Sequence, residues 1–433
     1  MGASKYNIVA EIPGTENYIL ANLLSGQADI ISKSELDQLK QCSGHLQNAD
    51  FVSKGYITDP DQEKQRLRLA YIDFLEQRSK EEVQIFFAPT YNCNFECSYC
   101  YQSSYHHSPE KLSEELIDGL FIFINTHLAQ QKKYITLFGG EPFLSGKSYM
   151  TALDYFFELC GRHDMDVAAV SNGYYLDQYL QMLEKVNIRE IQLTLDGPEK
   201  THNRRRPYKG GKPSFSRIVS NIEECLSRGI TVNLRVVVDK DNIGTLPELS
   251  RFAIDRGWTT SPGFKTQLGR NYELHHCHAG AEKLFSRLGL YGELYMLIQN
   301  HPEILEFHRP GFSAARFIKD NGALPAPLFD ACPGCKSEWA FDYLGNIYSC
   351  TATVGKKGEE LGSFFPNIKL NHEEIAKWQS RDVLSIKECR ECHLQLLCGG
   401  GCGAIAKNSK GSILAADCRP VDKLLGMGIS TYF

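Results

Sequence analysis

From Val83 onward, short apolar runs and helical stretches take turns along the chain, and this alternation restricts the fold more than any other feature. The strand-like runs are Val83–Ala88, Tyr134–Phe138, Val167–Ser171, Ile191–Leu195 and Ile230–Val238. Helical periodicity falls at Leu112–His127, Ser148–Cys160, Leu176–Lys185, Ser216–Ser227 and Leu246–Arg256. Strands separated by helices in this way run parallel, with right-handed crossovers. The expected fold class is α/β, and chemistry is expected at the carboxyl ends of the strands.

The segments around this core differ in character. Residues 1–80 read as a small α/β module, with strands at Tyr6–Glu11, Tyr18–Asn22 and Ala28–Ile31. Ser32 and Ser34 can cap a helix over Glu35–Gln41, and further helical character spans Gln62–Gln77. Residues 81–258 hold the alternation, and 259–330 lose it. That stretch carries His275, His276, Cys277 and His278, then a helical run near Ala281–Gln299. Adjacent side chains rarely converge on one ion, so a loop or insertion fits the histidines better than a metal site does. In residues 331–433 cysteines crowd, as expected of a separate metal-stabilised domain.

Composition narrows the function classes. Hydrophobic residues make up 42% and charged residues 23% of the 433, as in ordinary globular proteins. A net charge of −5 leaves no nucleic-acid footprint. No apolar run reaches the ~18 residues of a membrane span, and the first residues lack a signal-peptide core. The 15 cysteines then read as metal ligands in a reducing cytoplasm, not as disulfides.

Three of them, Cys93, Cys97 and Cys100, lie in the run CNFECSYC after the first strand. A cubane iron–sulfur cluster has four iron corners, so three thiolates leave one corner open to a small molecule. Read alone, the trio also fits a zinc knuckle or part of a disulfide framework. About 40 residues on, directly after a strand, stands Gly139-Gly140-Glu141-Pro142. Glycines there let the backbone approach a ligand, and the carboxylate can accept from an ammonium group, although a tight turn would use the same residues. The next two strands end in Ser171-Asn172-Gly173 and Thr194-Leu195-Asp196-Gly197, followed by His202, Asn203 and Arg206.

The trio with Tyr99 inside it and Tyr101 after it, and the Gly-Gly-Glu turn, resemble the radical S-adenosylmethionine (SAM) enzymes. The resemblance implies a partial (β/α)6 TIM-like barrel, with a sixth unit beyond the five counted. It implies that Cys93, Cys97 and Cys100 hold a [4Fe–4S] cluster whose open iron chelates SAM, from which a 5'-deoxyadenosyl radical is generated. Gly139, Gly140 and Glu141 are then assigned to the SAM amino group, and Ser171, Asn172, Thr194 and Asp196, with Tyr99, to the remainder of the cofactor site. Arg206 is suited to the SAM carboxylate by its bidentate fork. Arg204 and Arg205 fit either a solvated loop or contacts to an acidic peptide.

The C-terminal cysteines follow a second pattern. Cys335 is followed by Gly345 and Cys350, then by Cys389, Cys392, Cys398 and Cys402 as C-x2-C-x5-C-x3-C, and by Cys418. This order resembles the SPASM extension, which holds two auxiliary [4Fe–4S] clusters, making three with the SAM cluster. The resemblance gives Cys335, Cys350 and Cys402 to the first and Cys389, Cys392, Cys398 and Cys418 to the second, with Cys332 available as an eighth ligand. Local spacing alone would also allow a zinc ribbon of Cys389, Cys392, Cys398 and Cys402. Cys42, Cys160 and Cys225 fit no cluster pattern and read as core thiols.

Enzymes of this type modify peptides or proteins. The implied function is maturation of a ribosomally made precursor peptide through an intrapeptide thioether or carbon–carbon crosslink, with a flavodoxin or ferredoxin as electron donor. The N-terminal module would grip a peptide or simply cap the barrel. An anaerobic sulfatase-maturing activity is the alternative, but those enzymes carry an aspartate after the cysteine matching Cys350, where this chain has Thr351. An electron carrier or zinc protein is the non-enzymatic reading.

Overall fold

The computed structural model describes residues 1–41, 48–105, 111–270 and 281–433. Six strands pair side by side in chain order, all parallel: Val83–Ala88, Lys133–Leu137, Val167–Ser171, Ile188–Thr194, Val232–Val238 and Phe264–Arg270. The sheet does not close. Its far edge is extended by Glu338–Asp342, parallel to Val83–Ala88, and then by the antiparallel strands Asn346–Tyr348, Gly362–Ser363 and Lys369–Leu370. The fold is the expected α/β one, an open six-stranded parallel barrel whose sheet continues into the cysteine-rich segment.

Helices cover the outside of the barrel for the usual amphipathic reason. Glu114–His127 is capped by Ser113 and buries Ile117, Leu120 and Ile124, while Phe215–Ser227 buries Ile218, Ile222 and Cys225. The helix expected over Leu176–Lys185 is broken. A 3₁₀ turn at Leu176–Gln178 and a short helix at Leu180–Leu183 meet at Tyr179, whose buried ring packs on Phe143 at 4.8 Å. The helical run near Ala281–Gln299 resolves into a 3₁₀ turn at Ala281–Lys283 and a helix at Arg287–Asn300. His275, His276, Cys277, His278 and Cys42 lie outside the described residues. Cys160 and Cys225 are fully buried core thiols.

The N-terminal strands Asn7–Glu11, Tyr18–Asn22 and Gln27–Ile31 form an antiparallel sheet. One face packs on the helix Lys33–Lys40, started by a reciprocal Ser32–Glu35 capping box. The other face, with Ile8, Ala10 and Ile19, joins the main core beneath the C-terminal helix Val421–Tyr432. That helix lies so close to the strand that a Cβ at Gly426 would sit 2.0 Å from the Glu11 carbonyl oxygen. The long helix Pro60–Ser79 ties the module to the cysteine-rich segment. Tyr71 and Phe74 pack on Phe329, and Arg78 donates to the Asp330 carbonyl at 2.8 Å. No helix among the described residues is long and apolar enough to cross a membrane.

Candidate functional site

The loop bearing the cysteine trio leaves the first barrel strand and is fixed from two sides. Gly140 N–H donates to the Thr90 carbonyl (3.0 Å) and Glu141 N–H to the Asn92 carbonyl (2.8 Å). These bonds demand close backbone approach, which explains the glycine pair. A Cβ would lie 2.5 Å from Thr90 O at Gly139, where φ is +124°, and 2.2 Å from Asn92 O at Gly140. On the other side, Glu96 and Ser98 N–H groups donate to the Pro207 and Arg205 carbonyls, and Lys209 N–H to that of Asn94.

Cys93, Cys97 and Cys100 open together onto a cavity of about 780 Å³ at the carboxyl ends of the barrel strands. The same cavity is lined by Tyr99, Gly139, Gly140, Ser171, Asn172, Thr194 and Arg206. Ten of the twelve residues expected at the SAM centre are thus brought to one wall. Glu141 and Asp196 are not on it. Glu141 is buried behind the glycines, its Oε1 accepting from Phe143 N–H (2.9 Å) and Ser171 Oγ (2.7 Å), its Oε2 from Asn172 N–H (2.6 Å). Burial outweighs these donors and holds its carboxyl above the ordinary range. Asp196 accepts from Val237 N–H (3.0 Å) and Arg205 Nε (3.3 Å). These contacts make both carboxylates braces between strand ends.

The three arginines at 204–206 divide sharply. Arg204 is exposed, whereas Arg205 is buried, with Nη1 donating to both oxygens of Asp239 at 2.9 Å. Arg205 therefore belongs neither to a solvated loop nor to a peptide-facing patch. Arg206 reaches back to the cluster loop, donating from Nη1 to Tyr99 Oη at 2.6 Å. Asn203 Oδ1 accepts from Ser214 and Phe215 N–H, starting the next barrel helix. His202 is fully buried; Nδ1 accepts from Asp196 N–H and Nε2 faces Ser214 Oγ, so burial keeps its ring neutral.

Whether a [4Fe–4S] cluster suits the trio can be judged from the polar atoms around it. Asn94 Nδ2, Gln102 Nε2 and Arg206 Nε are buried donors with no hydrogen-bond partner. Buried donors are rarely left unmet, and cluster sulfides or a carboxylate of bound SAM would satisfy them. Burial also pushes the Cys93 thiol up to about 12 and Cys97 to about 11, a cost of ionising them that metal binding would offset. The residues fit the group.

The cysteine-rich segment sorts its thiols into two quartets. Cys335 and Cys350 lie within electrostatic reach of each other and of Cys332, and Cys350 and Cys402 each lie within reach of Cys332 and one another. Cys332 Sγ is 3.2 Å from where a Cβ on Gly403 would stand. Cys389 responds instead to Cys392, Cys398 and Cys418. Cys398 and Cys402 part company because Gly399, Gly400 and Gly401 are all left-handed, and a Cβ at Gly401 would sit 2.1 Å from Asp417 O. This division separates the four cysteines of the zinc-ribbon alternative.

Sequence reasoning missed two buried residues here. Arg381, fully buried, donates to the Ile413 and Gly400 carbonyls at 2.7 Å and faces Asp330, whose Oδ1 accepts from Cys332 N–H. It binds the loops of both quartets together. Glu338, on the strand that joins the barrel, accepts from Thr351 N–H (2.8 Å) and Oγ1 (3.2 Å). Thr351 and Ala352 line the same cavity as the cysteine trio, so a carboxylate stands just behind that part of its wall. Neither could be read from sequence, since the partners of Arg381 and Glu338 lie in segments distant along the chain or across a turn, and local sequence carries no sign of them.

Residues 87–253 match the radical SAM superfamily. The chain carries a radical SAM domain. It is 25% identical over 325 residues to the mycofactocin maturase MftC of Mycolicibacterium smegmatis, covering 73% of this chain and 76% of that one. It is 28% identical over 346 residues to a serine-type anaerobic sulfatase-maturating enzyme of Bacteroides thetaiotaomicron, covering 72% and 80%. A GTP 3',8-cyclase of Nautilia profundicola is 28% identical over 175 residues; the match covers 39% of this chain and about half (52%) of that relative. Among solved structures, anSMEcpe with bound AdoMet and Cp18Cys peptide shares the fold with a TM-score of 0.60 at 17% identity, covering 82% of this chain and 96% of that one. Streptococcus suis SuiB bound to its precursor peptide SuiA does so with 0.54 at 14%, covering 97% and 99%.

Proposed function

We propose that this protein is a radical SAM maturase that crosslinks a ribosomally made precursor peptide. The observation that carries the reading is the shared cavity. Its lining combines the cysteine trio with Thr351 and Ala352 of the cysteine-rich segment, so a peptide residue in this cavity would have both within the same space. A [4Fe–4S] cluster on Cys93, Cys97 and Cys100 would supply, with SAM, a 5'-deoxyadenosyl radical for hydrogen abstraction.

The chain's own residues set the rest. Arg206, Asn94 and Gln102 offer unmet donors at the trio, and Tyr99 holds Arg206 in place. Glu141 and Asp196 brace the strand ends, keeping Gly139, Gly140 and Thr194 at the wall. The two thiol quartets would hold two auxiliary clusters, Cys332 completing the first, and a flavodoxin or ferredoxin would supply electrons. MftC and SuiB, named for a maturase and for a bound precursor peptide, support this reading.

A second reading keeps the sulfatase-type chemistry. It is favoured by the resemblance to the serine-type enzyme and by Glu338, a carboxylate hydrogen-bonded to Thr351, which stands where those enzymes have aspartate. Incubating the anaerobically reconstituted protein with SAM, dithionite and candidate precursor or sulfatase peptides separates the two. Both products lose two hydrogens when the substrate residue is serine or a crosslink forms. Only formylglycine then reacts with a hydrazide, whereas a crosslink changes the peptide's fragmentation. SAM cleavage with no change in any peptide would remove both readings.

A further inference from the structure

The barrel lumen holds a cation that the SAM centre does not account for. Along Val232–Val238 burial alternates, with Val232, Leu234, Val236 and Val238 packed outward against helices. Asn233, Arg235 and Val237 line the cavity instead. The neighbouring sixth strand does the same with Lys265 and Gln267, and Gln84, Thr136 and Gln192 complete a polar interior. Barrels of this type are normally filled by branched apolar side chains, so a polar, open lumen is built to receive something.

Most charges in this interior are already matched. Lys265 Nζ lies 3.2 Å from Glu190, which also accepts from Asn233, and Arg189 is forked onto Glu82 and Asp166. Arg270 donates to the Phe285 carbonyl. Arg235 differs: among the described residues its guanidinium has no acceptor. It lies across the sixth strand at Gly269, where a Cβ would fall 2.8 Å from Nη2 and 3.1 Å from Cζ and Nε. Gly269 is paired with Val237, two residues nearer the strand ends than Arg235 itself. The side chain therefore leans toward the end of the barrel that carries the cysteine trio, within the same cavity.

We propose that Arg235 is a carboxylate-binding subsite that selects an aspartate or glutamate side chain of the peptide substrate. A half-buried guanidinium presents a planar fork of donors that matches a carboxylate bidentately, and an unmet one gains most from an anionic ligand. Gln267 and Thr194, the register partners of Arg235 on the two flanking strands, can complete the shell on either side. Gly269 is part of the subsite, because only a residue without a Cβ leaves the guanidinium its seat. The assignment of the carboxylate to a peptide rests on the maturase reading; the subsite itself does not.

The test uses the reconstituted, SAM-loaded full chain and two probes, N-acetyl-glutamate amide and N-acetyl-glutamine amide, titrated calorimetrically. The wild type should bind the glutamate probe at least about tenfold more tightly than the glutamine probe, a difference of about 1.4 kcal/mol. Arg235→Gln should abolish the preference and Arg235→Lys retain part of it. Gly269→Ala, which keeps every charge but displaces the guanidinium, should weaken the glutamate probe alone. Equal binding of both probes by the wild type, or a preference that survives Arg235→Gln, overturns the proposal. SAM affinity is the second arm, because the cofactor has a carboxylate of its own. A tenfold loss of SAM binding in Arg235→Gln with probe preference intact would assign the guanidinium to SAM and also overturn it. If the preference holds but no peptide is modified, the maturase reading fails and the subsite stands.

Discussion

Replacing Glu141 with Gln tests whether this residue is a brace or a cofactor ligand. Its two oxygens take three donors, from Phe143, Ser171 and Asn172, at 2.6–2.9 Å. The amide can keep an oxygen toward Phe143 and Ser171, but its NH2 then faces the Asn172 N–H, donor against donor. Losing one bond to a charged acceptor costs about 1.5–3 kcal/mol, and stranding a buried N–H about 1–3 more. The neutral side chain recovers part of the desolvation that keeps the Glu141 carboxyl above its ordinary range. The net destabilisation should be about 2–3 kcal/mol, lowering Tm by roughly 5 °C or more if the barrel melts as one unit. Calorimetry of the anaerobic protein, alongside SAM titration, reads both effects. An unchanged Tm with SAM binding weakened tenfold or more would refute the bracing argument and return Glu141 to the SAM amino group.

Gly140→Ala should separate the cysteine loop from the strand end, since its Cβ would stand 2.2 Å from Asn92 O and 2.5 Å from Tyr91 O. Iron and sulfide analysis after reconstitution should then show loss of the cluster on the trio with both other quartets still loaded. Cys332→Ala should reduce the iron of the first quartet, and an unchanged iron content and electron paramagnetic resonance spectrum would show that Cys332 is no ligand. His308 is half-buried with Nδ1 3.0 Å from Thr266 Oγ1, and the loss of solvent around its ring, aided by the Arg316 charge, lowers it to about 4. Its unfolded value is near 6.5, so the unfolded chain takes up the proton first and stability falls as pH drops from about 6.5 to about 4. At about pH 5 the loss should be about 2 kcal/mol relative to neutral pH. Urea denaturation of His308→Gln should show that much less acid sensitivity, and equal sensitivity would mean the ring is not the titrating group.

The strands that were legible are those whose outward faces pack on helices. Val83–Ala88 and Val167–Ser171 declare themselves by apolar runs, and the trio and the Gly-Gly-Glu turn follow strand ends where chemistry was expected. Phe264–Arg270 was not legible because its lumen positions, Lys265 and Gln267, serve a cavity and not a core. Hydrophobic patterning detects burial in protein, and it is silent where a strand faces space reserved for a ligand. Glu338–Asp342 escaped for a different reason. It pairs with the first barrel strand across some 250 residues of chain, as the register Glu338↔Gln84 shows, and long-range pairing leaves no local trace. The same holds for Glu141 and Asp196, whose partners come from other strand ends.

What the sheet's continuation adds is a physical link between two chemistries. Because Glu338–Asp342 extends the barrel sheet, the loop that follows it, with Cys350, Thr351 and Ala352, is carried to the mouth of the barrel by strand pairing and not by a flexible linker. The distance between the cysteine trio and the first thiol quartet is then set by the same hydrogen-bonded ladder that sets the lumen. A substitution that loosens that strand, such as Gly345→Ala, whose Cβ would stand 2.4 Å from Phe365 O, should disturb peptide modification more than SAM cleavage, because only the former needs both walls of the cavity in register. Equal losses in the two rates would show that the trio itself depends on this strand, and the wall at Thr351 would then have no separate part in the reaction.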